Sequence, residues 1–530
     1  MHNLVLTGFM AVGKTTVGRI VARQLGRPFV DMATEIARRA GKSISHIFDV
    51  AGEAAFRRLE AAVCAELAGR EGWVIATGGG ALMDANNRAC LMDSNTVVCL
   101  TATPKAVLQR VQSDLNDNGV ERPLLAIPDP QAEIARLWDA RREMYASVPW
   151  QVDTSDRSVE EVAAEVARLA DVVTISVQHS EGVYPYHIGE GILKYIGGVL
   201  RSAGAPTGSR VAVVSNPVVA PLYVGEVEAS LRRSGFYPVI CTVPDGEAYK
   251  TLETVRSLYD QFLAGGLDRS STVIAVGGGV TGDLAGFAAA TFMRGVRFAQ
   301  VPTSLLAMVD AAIGGKTGVD LPQGKNLVGA FWQPASVLAD STVLKTLPVE
   351  EWRSGMAEML KHGVIGDAAL FSALATGRYP SSQEIERAVR VKVSVVAKDP
   401  SETGRRMVLN LGHTVGHALE RLSRYSLRHG EAVGIGMLAA ARIAAAVGLA
   451  DSSLSGQIEA ALDACGLPYR CPPFPVEAIW EAMTHDKKRQ GATLRWVLPH
   501  AIGEVAIVEE VPPKVVRSVL AEIGGVDEGV

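Results

Sequence analysis

The chain has 530 residues, more than one hydrophobic core usually covers, so about three domains are expected. Apolar residues make up 48% of it and the formal charge is -5, which gives no basic field for nucleic acid or an anionic membrane but leaves room for local basic sites that bind anionic metabolites. The six cysteines (Cys64, Cys90, Cys99, Cys241, Cys465, Cys471) show no CxxC spacing, and no basic region followed by a signal-type apolar run opens the chain, so a cytoplasmic protein with small-molecule partners is expected.

In chain order, a short apolar strand over residues 3 to 7 runs into Gly8-Phe9-Met10-Ala11-Val12-Gly13-Lys14-Thr15, and a helical pattern follows from Val17 to Leu25. Strand, glycine loop and helix in that order aim backbone N–H groups at phosphates near the positive end of a helix. Gly13, Lys14, Thr15 and Thr16 would form the cradle, Lys14 reaching the outer phosphates and Thr15 offering its hydroxyl to Mg²⁺. A plain strand-to-helix turn is the competing reading. Strands are predicted at Trp73 to Ala76, Thr96 to Leu100 and Trp150 to Thr154, with a turn at Gly78-Gly79-Gly80 where backbone must approach something closely. The helical pattern Val159 to Leu169 closes a first domain over 1–171.

A second domain, 172–345, opens with strands at Val173 to Val177, Tyr184 to Ile188 and Arg210 to Ser215. Within it, the apolar strand Thr272 to Val276 feeds Gly277-Gly278-Gly279-Val280-Thr281-Gly282-Asp283, a turn where backbone amides can approach a pyrophosphate. Taken alone, an ordinary tight turn accounts for it equally well.

From about Thr346 the period becomes helical, and strand signals fade until Leu494 to Leu498, giving a mainly helical third domain, 346–530. Its apolar stretch Ala432 to Ala450 is interrupted by Arg442 and rich in Ala and Gly, which reads as a buried helix. The same domain carries Glu358, the pair His413 and His417 one helical turn apart, and His429. A polar helix face or a cap would explain one such histidine. Three histidines and a carboxylate in apolar segments point to a metal, because buried charge persists when paired or coordinated. Zinc takes imidazole and carboxylate ligands, and a catalytic site leaves one position open. The cleft between this domain and the glycine turn of the second is the expected place for the chemistry.

Two segments resemble known families. From Gly8 to about Asp171 the chain resembles shikimate kinase, on the phosphate loop, Asp31, Phe56-Arg57-Arg58-Leu59-Glu60, Thr77-Gly78-Gly79-Gly80, Glu121-Arg122-Pro123-Leu124-Leu125, and Arg141 with Tyr145. The resemblance implies an α/β P-loop kinase domain that uses ATP and Mg²⁺ on shikimate. Arg57, Gly79 and Arg141 would hold the shikimate carboxylate and ring, and Arg122 would come from a closing lid onto the transferring phosphate, roles that suit the bidentate guanidinium. The family pattern has two aspartates one residue apart after the second strand. Here the stretch reads Asp31-Met32-Ala33, so the carboxylate expected on the acceptor hydroxyl is missing, and Asp31 and Glu35 are the nearby acids.

From about Val173 to Gly525 the chain resembles 3-dehydroquinate synthase. The matching residues include Asp245-Gly246-Glu247 with Lys250, the Gly278 loop with Asp283, Arg294-Gly295-Val296-Arg297, Pro302-Thr303-Ser304, and Asp310 with Gly314-Gly315-Lys316-Thr317. They continue through Gly324-Lys325-Asn326, Glu358 with Lys361, Lys392, Arg406, Asn410 and Asp486-Lys487-Lys488. The resemblance implies a two-lobed synthase unit, a Rossmann-like α/β lobe plus a mainly α-helical metal-binding lobe. NAD would lie on Asp245, Glu247, Lys250, Gly278, Gly279, Val280, Asp283, Thr303, Ser304, Lys316, Lys325 and Asn326, and zinc on Glu358, His413 and His429. The substrate would be 3-deoxy-D-arabino-heptulosonate 7-phosphate, with Arg294, Lys316, Lys361, Lys392, Arg406 and Lys487 as cationic partners, Asn410 beside them and His417 near the phosphate. Oxidation by NAD, loss of phosphate and return of the hydride before ring closure would leave no net redox change. A homodimer through the synthase unit is the accompanying expectation. Two other readings remain open: a kinase domain reduced to a nucleotide-binding module, and a synthase half that is another sugar-phosphate cyclase or a metal-dependent polyol dehydrogenase.

Overall fold

The computed structural model describes residues 2–92, 95–118, 129–399, 404–488 and 494–526, without the side chains of 114–118, 130 and 485–488. The chain divides into two compact units. The first comprises Met1–Val173 with Ile192–Ser209 and Glu226–Pro238, and the second Thr174–Gly191, Arg210–Gly225 and Val239–Val530.

The first unit is built on five parallel strands, β1 (Leu4–Gly8), β2 (Phe29–Asp31), β3 (Val74–Ala76), β4 (Thr96–Thr101) and β5 (Trp150–Asp153), in the order β2-β3-β1-β4-β5. The central strand β1 is buried along its whole length, so its sequence is a continuous apolar run and does not alternate. The phosphate-loop helix begins at Lys14, earlier than the apolar period starting at Val17 suggests, because Gly13 at φ 93° turns the chain directly into it. The helix Val159–Leu169 starts in a capping box of Ser158 and Glu161 and buries Val162, Val166 and Leu169. Glu165 is buried on the same helix. Its carboxylate receives the Lys194 ammonium and the Arg157 guanidinium at 2.6 Å each and the Tyr195 hydroxyl.

The second unit contains β6 (Val173–His179), β7 (Gly182–Gly189), β8 (Arg210–Ser215), β9 (Tyr237–Thr242), β10 (Thr272–Gly277), β11 (Arg297–Pro302), β12 (Lys316–Leu321), β13 (Gly324–Phe331), β14 (Val337–Asp340), β15 (Trp496–Ala501) and β16 (Glu504–Val508). Seven of them form one sheet in the order β6-β7-β14-β11-β10-β8-β9, while β12-β13 and β15-β16 are antiparallel hairpins. Central β10 is buried throughout and edge strand β6 alternates, so the two differ in sequence texture as their positions require. Val214, Phe262, Leu284 and Phe298 share the core around β10. The strand expected over 494–498 runs over Trp496–Ala501 and pairs with β16.

Three helices carry the polar centre of this unit: Val349–Gly366, His413–Leu422 and His429–Ala446. The last is buried along most of its length, with Arg442 paired to Glu459 at 2.8 Å. Among the described residues, no helix is long and apolar enough to cross a membrane.

Candidate functional site

In the first unit, the Lys14 ammonium donates to the carbonyls of Gly8 at 2.9 Å and Phe9 at 2.7 Å, and the Thr15 hydroxyl donates to Asp31 at 2.6 Å. Thr16 is exposed on the same first turn. An ammonium, a hydroxyl and a carboxylate beside a helix start suit a nucleotide with Mg²⁺. The other Asp31 oxygen accepts from the Thr34 amide at 3.1 Å and caps the helix Met32–Ala40, whose first turn holds Ala33. Glu35 does not stand in for the missing acid: Arg38 and Arg39 bind it at 2.8 and 2.6 Å and hold its carboxyl down at about 2.

Around the Gly78-Gly79-Gly80 turn, Arg57 pairs with Glu60 at 2.6 Å, and a side chain added at Gly80 would meet the Arg57 guanidinium at 3.0 Å. At Gly79 it would meet Arg141 at 3.4 Å. The Tyr145 hydroxyl donates to the Gly79 carbonyl. Two guanidinium groups therefore flank this turn, as a carboxylate-bearing ligand requires. Glu60 is buried, and that burial pushes its carboxyl up against the pull of Arg57. Arg122 lies outside the described residues.

In the second unit, β10 ends in the glycine turn, and Gly278 and Gly279 lead into the helix Gly279–Thr291, whose start no side chain caps. A Cβ at Gly279 would approach that of Ala311 to 3.3 Å, so bulk at this turn is restricted. Val280 follows in the first turn, and Thr303 and Ser304 are buried where β11 ends, the Thr303 amide donating to the Gly277 carbonyl at 3.0 Å. Asp245 accepts from Asn216 at 2.7 Å, and Lys250 binds both Asp283 and Asn326 at 2.5 Å. Asp283 pairs with the Lys250 ammonium directly, while Glu247 and Asp320 act on it as nearby negative charges. Despite burial, Lys250 is held charged, while Asp283, buried and crowded, is pushed up to about 6. Backbone amides at an uncapped helix start, with polar groups fixed around them, fit a dinucleotide.

Glu358, completely buried in the Val349–Gly366 helix, faces His429 Nε2 at 3.4 Å and His413 Nε2 at 3.8 Å. These three ligand atoms lie within 4.8 Å of one another. Donors on a tetrahedral zinc ion are about 3.4 Å apart for bonds near 2.1 Å, so the set fits a divalent metal. His413 Nδ1 is 3.1 Å from the Leu411 carbonyl, which can only accept, so Nδ1 keeps the proton and Nε2 is left as the ligand. The two histidine helices meet where a Cβ on Gly436 would come within 1.9 Å of the Gly412 carbonyl, so only glycine permits this approach.

The Lys361 ammonium lies against Glu358 one turn away. Although burial opposes it, Lys361 first, with the two histidines, holds the Glu358 carboxyl well below its ordinary value. Burial, helped by Lys361, keeps His413 neutral. For His429, burial is outweighed by hydrogen bonds to Glu358 and Glu420, which raise it to about 10. His417 is exposed beside the trio, its ring 5.1 Å from that of His413.

Of the expected substrate cations, Lys392 is buried and donates to the Asp310 backbone carbonyl at 2.6 Å and its carboxylate at 2.5 Å. Arg406 is buried, with its guanidinium 2.5 Å from where a Gly314 side chain would sit. Lys316, Asn410 and Arg294 are exposed, Arg294 at φ 65°, and the Lys487 side chain lies outside the described residues. Sequence reasoning missed Glu420, His362 and Asn216. Glu420 had a signal, since seven residues after His413 on one helix is the same face. His362 is completely buried, its Nε2 4.0 Å from Asp310, and burial lowers it to about 3.

Fold and sites together define an α/β enzyme with a phosphate-loop unit and a separate unit suited to a dinucleotide and a divalent metal. Residues 10–170 match the shikimate kinase family model, 240–354 that of the 3-dehydroquinate synthase N-terminal domain, and 355–489 that of its C-terminal domain. The chain is 46% identical over 363 residues to the 3-dehydroquinate synthase of a Synechococcus strain, covering 66% of this chain and 99% of that one. It is 46% identical over 344 residues to the enzyme of Geobacter metallireducens, covering 63% and 95%. A solved 2-deoxy-scyllo-inosose synthase complexed with carbaglucose-6-phosphate, NAD⁺ and Co²⁺ is similar at 27% identity and TM-score 0.60, covering 66% and 99%. A 2-epi-5-epi-valiolone synthase from Streptomyces hygroscopicus with NAD⁺ and Zn²⁺ bound is similar at 28% and 0.59, covering 64% and 96%. The chain belongs to the 3-dehydroquinate synthase family, and with its shikimate kinase domain it is a bifunctional kinase and lyase of the shikimate pathway.

Proposed function

We propose that the first unit phosphorylates shikimate with ATP and Mg²⁺, and that the second converts 3-deoxy-D-arabino-heptulosonate 7-phosphate to 3-dehydroquinate and phosphate with NAD and zinc. The convergence of Glu358, His413 and His429 carries the second assignment. When bound, zinc would supply a Lewis acid and NAD a transient hydride acceptor. The protein's own part is positional. Lys361 keeps Glu358 ionised, the Leu411 carbonyl fixes the His413 tautomer, and Lys392, held by Asp310, with Arg406 offers cationic partners to an acidic sugar phosphate. In the kinase, Lys14 and Thr15 serve the phosphates and Mg²⁺ while Arg57 and Arg141 bind the substrate carboxylate.

The limits 1–171, 172–345 and 346–530 are proposed for the kinase domain and the two synthase lobes. We also propose a homodimer through the synthase unit, checked by sedimentation velocity, and a cytoplasmic location, which the six unpaired cysteines support.

The deciding experiment assays both half-reactions on wild type and His413→Ala. The variant should lose zinc and phosphate release from the heptulosonate phosphate while keeping shikimate phosphorylation. Full synthase activity in metal-free His413→Ala would overturn the assignment.

A further inference from the structure

Both ring nitrogens of His429 face carboxylates. Nε2 looks toward Glu358 at 3.4 Å, and Nδ1 lies 3.3 Å from Glu420. Glu420 is only 5% exposed, and burying a carboxylate is costly unless it is paired. Its other oxygen lies 3.8 Å from the Lys325 ammonium, which also meets Glu247 at 3.2 Å and sits 4.3 Å over the Tyr425 ring. The two carboxylate oxygens are thus engaged separately, one by the histidine and one facing the lysine. The same logic applies at His413, where the Leu411 carbonyl takes Nδ1 and turns Nε2 inward.

We propose that Glu420 is a positioning residue for the metal centre: by accepting the Nδ1 proton of His429 it fixes the ring's tautomer and orientation, so that Nε2 points at the ion shared with Glu358 and His413. This rests on the metal reading above. Groups behind a ligating imidazole typically contribute about 10–100-fold to metal affinity. Glu420 also belongs to a second group that could hold an ion, with His417 and His429. That arrangement would use His429 Nδ1 and leave Glu358 and His413 outside.

The test is Co²⁺ affinity of the full chain by chelator competition, with the Co²⁺ visible spectrum as the signature of ligand geometry, on wild type, Glu420→Ala, Glu420→Gln and His413→Ala. Glu420→Ala should weaken Co²⁺ about 10–100-fold and shift the spectrum, with an unchanged metal-free melting temperature. Glu420→Gln keeps an accepting oxygen without the charge and should weaken binding several-fold less. If Glu420→Ala does not fold, Glu420→Leu, which likewise offers no accepting oxygen, decides, its loss of affinity supporting the proposal and wild-type affinity overturning it. Wild-type affinity and spectrum in Glu420→Ala would overturn this proposal alone. Retained binding in His413→Ala together with abolished binding in Glu420→Ala would overturn it in favour of the second group. Failure of wild type to bind Co²⁺ would remove the metal reading itself.

Discussion

Replacing Ala33 with Asp places a carboxylate two positions beyond Asp31, where the resemblance to shikimate kinase leads one to expect it. The two other acids nearby are committed elsewhere, Asp31 to Thr15 and Thr34, and Glu35 to Arg38 and Arg39. Neither is placed to replace the missing group, so the proposed kinase would lack one charged hydrogen bond to its acceptor. Such a bond contributes about 1.5–3 kcal/mol, or on the order of 10- to 100-fold in kcat/KM at 1.36 kcal/mol per decade. Folding should not suffer. The position lies in the first turn of the helix Met32–Ala40, where a carboxylate gains about 0.3–1 kcal/mol from the helix dipole. The assay is shikimate-dependent ADP release by the full chain and by Ala33→Asp, with thermal melts alongside. A rise of about 10- to 100-fold with an unchanged or higher melting temperature is expected. An equal or lower kcat/KM in a folded variant would refute the reasoning. A silent native chain that becomes active in the variant would show that the unit serves this protein as a nucleotide-binding module.

Gly436→Ala forces a Cβ against the Gly412 carbonyl, and overpacking of this kind costs about 1–3 kcal/mol; a lower melting temperature and reduced zinc content should follow, and native values for both would contradict the close approach. Glu165 is held down at about 2 because Lys194, Tyr195 and Arg157 outweigh its burial. A depressed carboxylate stabilises the fold above its unfolded value near 4.3, and that stability is lost as pH falls toward the folded value. Glu165→Gln should therefore lower stability by about 1–3 kcal/mol at neutral pH, with the gap to wild type closing between about pH 4.3 and 2 in urea titrations; a pH-independent gap would refute this. Synthase turnover should need NAD only in catalytic amounts, without growth of the reduced-cofactor absorbance band, and one NADH per product would instead select a polyol dehydrogenase.

What the sequence determined by itself was set by short-range pattern. The phosphate loop is strand, glycine turn and helix within about 25 residues, and its chemistry follows from local geometry alone. The apolar runs of β1 and β10 reveal doubly covered strands for the same reason, and Glu358 with His413, His417 and His429 in apolar segments pointed to a metal, the choice of Glu358, His413 and His429 as its ligands coming from the resemblance to 3-dehydroquinate synthase. Tertiary structure decided which groups stand behind them. The Glu420 carboxylate behind His429 and Asp310 reaching Lys392 across 82 residues depend on how helices cross, down to the bare Gly436, whereas the Leu411 carbonyl behind His413 is a local contact two residues away. Glu35 was within sequence reach of Ala33, yet its carboxylate is held by neighbouring arginines. Side-chain direction and burial arise only when elements pack, so residue types can announce a ligand set, but the tautomers and charge states that make it work belong to the folded chain.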